Sequence, residues 1–221
     1  MRVVAVVPMR HHSERVRGKN YRLLGGRPLY AHIVSTLLST PGVHEVVIDT
    51  DSDVITDDAK TRFPGVRVVP RPRHLRSGLI PMNDVLLNTV TEIDADLVLQ
   101  THSTNPFLGA ETMGSALQAF TAARSAFDSA FSVTRLQARL WSERGKPMNH
   151  DPSVLLRTQD LEPVYLENSC FYVFTPETLR ALGNRVGQSP LMIEVPALEA
   201  HDIDEESDLV LAEIMLSSGV V

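Results

Sequence analysis

Cysteine is almost missing from this sequence. Cys170 is the one thiol in 221 residues, so no internal disulfide can form. Its place in the apolar run Ser169-Cys170-Phe171-Tyr172-Val173-Phe174 makes it a buried, inert thiol rather than a nucleophile. No stretch approaches the roughly 20 apolar residues of a membrane span. The N-terminus lacks the separate basic and apolar regions of a signal peptide, because its apolar run already reads as a strand, and a cytoplasmic protein is expected. Positive charge is in short supply: the formal net charge is −6 and the pI about 5.7. With neither a basic stripe nor a cationic amphipathic helix, a general nucleic-acid or membrane-surface binder is excluded. Internal repeats and low-complexity segments are lacking too. With 43% hydrophobic residues the chain has the apolar mass for one sizeable core, and residues 1–221 read as a single domain.

What the chain does have is a concentration of cations directly behind its first strand. Val3 to Val7 is a run of small and β-branched residues, the pattern of a strand buried on both faces, and Pro8 is expected to end it. The loop from Pro8 to Asn20 carries Arg10, Arg15, Arg17 and Lys19. Open α/β sheets bind ligands beyond the carboxyl ends of their strands. There Arg suits a polyphosphate by bidentate hydrogen bonding and Lys by its mobile point charge. The same cations would equally make a solvated surface loop. Neither G-x-x-x-x-G-K-[ST] nor G-x-G-x-x-G is present, so the loop is neither a P-loop nor a dinucleotide fingerprint.

Beyond the loop, strands and helices alternate. The spacing predicts a helix over Pro28 to Leu38, a strand over Glu45 to Ile48, a helix from about Val54 and a strand over Val66 to Val69. It then predicts a helix over Asp84 to Ile93, a strand over Asp96 to Gln100, a helix over Glu111 to Ala123 and a strand over Ser129 to Val133. The irregular stretch around Trp141 and Arg144 to His150 reads as a projecting arm or hairpin. Near the C-terminus, Asp202 and Asp204 fall on one face of an extended segment, where their carboxylates can share a hard, oxygen-preferring cation. Acids at this point equally suit the N-terminus of the helix expected over Leu209 to Leu216.

The stretch from Val6 through Arg10, His11, His12, Lys19 and Asn20 to Leu24-Gly25-Gly26-Arg27-Pro28-Leu29 resembles the nucleotide loop of sugar-activating nucleotidyltransferases. Its ending is most similar to the acylneuraminate (CMP-sialic acid) cytidylyltransferases. The similarity continues in Val46-Val47-Ile48-Asp49-Thr50-Asp51 and in Gln100 with Asn105-Pro106-Phe107-Leu108. It continues further in the run from Arg157 through Gln159-Asp160-Leu161, Pro163, Tyr165 and Glu167-Asn168 to Tyr172, and in Asp202-Ile203-Asp204 with Asp208-Leu209.

The resemblance implies an α/β fold with a three-layer nucleotide-binding sheet, mainly parallel, and a small dimerisation insert, the arm falling within residues 137–165. It also implies the activity: transfer of CMP from CTP to the anomeric hydroxyl of a 2-keto-3-deoxy, acylneuraminate-like acid, with release of pyrophosphate. Arg10 and Lys19 are implied as phosphate ligands, with Asn20, Arg71 and Gln100 at the nucleotide; Asn83 is placed there by its own chemistry, its amide offering a donor and an acceptor to a pyrimidine. Gln100, Gln159, Glu167 and Asn168 are implied at the acceptor, and Asp202 and Asp204 at Mg²⁺ or Mn²⁺. The expected partners are CTP, a small sugar acid and a second copy of the chain, with no nucleic acid and no membrane.

This sequence departs from the family at His11-His12, at Pro81-Met82 where the family carries serines, at Ser169 where it carries glycine, and in extra residues after Gln100 that set His102 beside it as a second candidate for the glutamine's role. An eight-carbon sugar acid or a phosphonate is the alternative acceptor. A non-catalytic nucleotide-binding regulatory module is the alternative to an enzyme.

Overall fold

The apolar run at the start of the chain becomes the middle of a sheet. A computed structural model describes Met1–Val221. In chain order its strands are β1 (Val3–Met9), β2 (Leu23–Leu24), β3 (Arg27–Pro28), β4 (Glu45–Thr50), β5 (Arg67–Pro70), β6 (Leu97–Thr101), β7 (Ser129–Leu136), β8 (Val164–Phe174) and β9 (Pro190–Glu194). The helices are α1 (Leu29–Ser39), α2 (Asp53–Arg62), α3 (Met82–Thr89), α4 (Ala110–Ala123), α5 (Pro176–Leu182) and α6 (Glu206–Ser217). β2 and β3 form a small hairpin, and the other strands form a seven-stranded sheet in the order β5-β4-β1-β6-β8-β7-β9. Neighbours from β5 to β6 are parallel. β8 runs antiparallel to β6 and β7, and β9 is parallel to β7. The sheet is mainly parallel, as expected, with β8 reversed.

Every residue of β1 is buried, which is why it reads as continuous apolar sequence. Val3, Ala5, Val7 and Met9 pack with Ile33 and Leu37 of α1, Ile55 of α2 and Met113 and Phe120 of α4. Val4 and Val6 point the other way, to Leu86 of α3 and Leu179 of α5. Alternation along the strand thus produces the expected three layers. Contrary to expectation, β1 does not stop at Pro8. It runs on to Met9, with Pro8 in register with Asp49 of β4. Pairing with β6 ends at Val6, so the missing proline donor interrupts no ladder on that side.

Residues 137–163 connect β7 to β8 and are almost entirely irregular, with one bridge between Trp141 and Pro147 and a 3₁₀ turn over Thr158–Asp160. Trp141 meets the His150 ring edge-on at 4.8 Å, yet it remains 52% exposed and Leu155 90% exposed. No helix is long and apolar enough to cross a membrane.

Candidate active site

A cavity of about 330 Å³ opens where β1, β5 and β6 end. Its first wall is the cationic loop. Gly18 turns this loop with φ of 65°, and a Cβ there would come within 2.5 Å of the Tyr21 ring, so the turn needs glycine. Asn20 closes it: its Nδ2 donates to the Arg10 carbonyl at 2.7 Å, and its Oδ1 accepts from Ser103 Oγ at 2.6 Å. This buried amide ties both ends of the loop to the segment after β6. His11 anchors the outside of the loop, its backbone N–H donating to Asp51 Oδ1 at 2.7 Å while Nδ1 lies 2.8 Å from Ser52 Oγ. Arg10, Arg15 and Lys19 line the cavity, and Arg17 does not.

The opposite end of the chain supplies the facing carboxylates. Asp208 accepts from the backbone N–H groups of Asp204 and Glu205 at 2.9 and 2.7 Å, and Glu205 with Asp208 forms a capping box at the start of α6. The capping role therefore belongs to Glu205 and Asp208, and the Asp204 side chain is left to turn into the cavity. Its Oδ1 accepts from Arg15 at 2.6 Å and from Lys19 Nζ at 3.1 Å. Asp202 lines the same cavity, and its buried Oδ1 has no hydrogen-bond partner. Burial pushes the Asp202 pKa up, and the neighbouring charge of Asp204 adds to the shift. An orphaned buried carboxylate oxygen beside a second carboxylate fits a hard cation of the Mg²⁺ kind, which takes one or two carboxylates and completes its shell with water and phosphate oxygens.

Arg71 enters from the end of β5. It is buried and paired with buried Asp49, Nε donating to Oδ1 at 2.5 Å, and Thr89 Oγ1 donates to the other carboxylate oxygen at 2.8 Å. β6 supplies Gln100 and His102. Gln100 is fully buried beneath the cavity rather than on its wall, whereas His102 lines it. Gln100 Oε1 accepts from Arg185 Nη1 at 2.7 Å, and Nε2 faces the Thr101 carbonyl at 2.9 Å and His102 Nε2 at 3.1 Å. The His102 pKa is pushed down to about 4, first by burial and then by the charges of Arg185 and Lys19.

A second cavity of about 420 Å³ shares Met82 and Arg185 with the first and is also lined by Asn83, Glu167 and Asn184. Glu167 accepts from the Tyr172 hydroxyl, and Asn83 donates to Asn184 Oδ1 at 3.2 Å. Asn83 and Glu167 are thus placed together, away from the phosphate-loop cations. Asn168 lines neither cavity. It donates to Thr134 Oγ1 at 3.0 Å and accepts from the Cys170 N–H at 3.2 Å, pinning the irregular stretch of β8. Ser169 next to it has φ of 57° and lines the first cavity. That left-handed backbone is the conformation a glycine favours. Gln159 is exposed in the arm and reaches neither cavity of its own chain. Cys170 is buried, as expected, and burial raises its pKa to about 12.

Arg185 is the site residue that sequence reasoning missed. It sits in the loop after α5, in no motif, and only the Gly183 that ends α5 with φ of 62° marks the loop at all.

The family model described as cytidylyltransferase matches residues 4–189. The chain is 28% identical to the CMP-N,N'-diacetyllegionaminic acid synthase of Legionella pneumophila, over 98% of this chain and 97% of that one. It is also 28% identical to the N-acylneuraminate cytidylyltransferase of Oncorhynchus mykiss, over 96% of this chain but only 49% of that longer protein. The solved structure of CMP:2-keto-3-deoxy-manno-octonic acid synthetase complexed with CTP has the same fold, with a TM-score of 0.76 at 16% identity over 99% of this chain and 100% of that one. With the match running from the first strand past Arg185, this chain belongs to the cytidylyltransferase family.

Proposed function

We propose that this protein transfers CMP from CTP to the anomeric hydroxyl of a 2-keto-3-deoxy sugar acid, nine-carbon and acylneuraminate-like, releasing pyrophosphate. The observation that carries the reading is the meeting of Arg10, Arg15 and Lys19 with Asp202 and Asp204 around one cavity. The cations suit a triphosphate, and the carboxylates suit the metal that accompanies it. The names of the Legionella and Oncorhynchus relatives, matched over nearly the whole of this chain, support a sugar acid as acceptor.

In the reaction the anomeric oxygen forms a bond to the α-phosphorus as the bond between that phosphorus and the bridging oxygen breaks. The electron pair leaves with pyrophosphate, and the hydroxyl proton is released. Arg10 and Lys19 hold the phosphates and stabilise the charge that grows on the leaving group. Asn20 and the Arg71–Asp49 pair act behind them, fixing the loop and the floor. Asp202 and Asp204 would hold Mg²⁺, or Mn²⁺ in its place, and the ion would neutralise charge on the phosphate oxygens.

The eight-carbon acid is the second reading, supported by the name of a 3-deoxy-manno-octulosonate cytidylyltransferase that is 25% identical over 65% of this chain. We further propose that the chain works as a homodimer, in the cytoplasm, with the arm within residues 137–165 as its interface. Exposed Trp141, Met148, Leu155 and Leu156 support this. The transfer is tested by mass spectrometry of reactions holding CTP, Mg²⁺ and one acid: a CMP conjugate is expected, and an acid recovered unchanged from every acceptor contradicts the reading.

A further inference from the structure

Arg185 differs from most other cations of the cavity. Arg71 is neutralised by Asp49, Arg15 and Lys19 share Asp204, and Arg10, which has no ion pair either, belongs to the phosphate loop. Arg185 makes its contacts with neutral groups: its guanidinium lies 3.6 Å above the centroid of the Tyr172 ring, and Nη1 donates to Gln100 Oε1. That hydrogen bond commits the Gln100 oxygen, so the amide nitrogen is the atom facing the Thr101 carbonyl and His102 Nε2. An N–H donating to Nε2 needs that nitrogen unprotonated, so the imidazole carries its proton on Nδ1. Nδ1 makes no bond within the chain, and the residue lines the cavity. Gln100 therefore couples two donors, a guanidinium and an Nδ1–H, that both border the first cavity, while Arg185 borders the second as well.

We propose that Arg185 binds the carboxylate of the acceptor, with His102 as an Nδ1–H donor beside it and Gln100 as the positioning residue that aims both. The inference deepens the transfer reaction proposed above and rests on it. A guanidinium withdrawn from water with no ion pair of its own is completed by an anion; burial lowers the Arg185 pKa, and the Tyr172 hydroxyl and the Glu167 carboxylate offset that only in part. The reaction brings two anions, the triphosphate and the acceptor acid. The triphosphate has its own cations on the loop after β1. Arg185 comes from another element and opens onto the second cavity, where Asn83, Asn184 and Glu167 offer amide and carboxylate groups suited to hydroxyls. The acceptor then lies in the second cavity with its acid end at the junction and its anomeric hydroxyl toward the first. Gln100 does not touch substrate in this arrangement. His102 is not the base that takes the hydroxyl proton, because its one unprotonated nitrogen already accepts from Gln100.

The test compares wild type, Arg185→Gln and Arg185→Lys, using the 2-keto-3-deoxy sugar acid that the wild type turns over fastest and the C1 carboxamide of the same sugar. Loss of a charge-assisted hydrogen bond predicts that Arg185→Gln raises the KM of the acid about 10- to 100-fold with the CTP KM within about twofold. The wild-type preference for acid over amide should collapse in Arg185→Gln and survive in part in Arg185→Lys, which keeps the charge and guards against a mere folding defect. A preference unchanged in Arg185→Gln overturns the proposal, as does a rise in the CTP KM instead of the acid's. If the wild type forms no CMP conjugate from any acid, the transfer reading itself falls before any variant is made, and this inference falls with it.

Discussion

Lys19 reaches across the mouth of the cavity to Asp204, its Nζ 3.1 Å from Oδ1 and 2.7 Å from the Ile203 carbonyl. The loop behind the first strand is thereby tied to the last loop before α6. Lys19→Ala cuts the tie and removes a cation from the phosphates. We expect kcat/KM for CTP to fall about 10- to 1,000-fold, while stability should fall by only about 1 kcal/mol, because Asp204 is partly exposed and keeps Arg15 as a partner. Steady-state kinetics with CTP varied checks this, and unchanged kinetics returns the loop to an ordinary solvated surface.

The two aspartates should separate experimentally. Asp202 has an orphaned buried oxygen, whereas Asp204 is paired with Arg15 and Lys19. Asp202→Asn is expected to lower Mg²⁺-dependent turnover about 100-fold or more. Burial disfavours the Asp202 charge, so this variant should melt no lower than wild type in metal-free buffer. Asp204→Asn should lose turnover and also loosen the Lys19 loop. Near-normal turnover in both variants removes the metal assignment.

Asp49 neutralises an arginine that is only 2% exposed. Asp49→Ala leaves Arg71 buried and unpaired, which costs about 3–5 kcal/mol. Urea denaturation should show the loss. A midpoint unchanged from wild type would mean that Arg71 finds water or another partner.

Acid should charge the half-buried imidazole of His102. His102 has its pKa pushed from 6.5 to about 4, so between these values the unfolded chain takes up a proton that the folded chain refuses. The contribution of neutral His102 is complete above pH 6.5 and is lost as pH falls toward 4. The groups around it are Arg185 and Lys19, which oppose its protonation, and Asp204, which favours it. Stability measured against pH should fall more steeply in this window for wild type than for His102→Gln. Parallel curves would contradict the assignment.

The arm predicts an assembly. Replacing Leu155 and Leu156 by Ser removes exposed apolar surface and should shift sedimentation from dimer to monomer without lowering the melting temperature. A wild type that sediments as a monomer at micromolar concentration rejects the interface.

Much of this was legible in the chain. β1 could be read because burial on both faces leaves nothing polar in it, and the cations of its loop could be read because the end of such a strand is where ligands lie. Asp202 and Asp204 could be paired by their spacing, but that alone did not separate metal binding from capping. Only the bonds from Asp208 to the backbone at 204 and 205 make that distinction. The reversal of β8 was not legible, since alternation of apolar residues records which face is buried and not which way a strand runs. Helix α5 and strand β9 were missed because they are short and half exposed. Gln100 and His102 could be placed at the end of β6, but which of them meets the cavity depends on Arg185, 85 positions further on.

The most direct measurement is pyrophosphate release with Mg²⁺, each of the four nucleoside triphosphates, and a panel of nine-carbon acids, an eight-carbon acid and an aminoalkylphosphonate. The account predicts release with CTP and a nine-carbon acid, and none without an acceptor. Release only with the eight-carbon acid or the phosphonate would keep the transfer and change its acceptor. Silence with CTP and every acceptor, from a protein that is folded and binds CTP, would contradict the account.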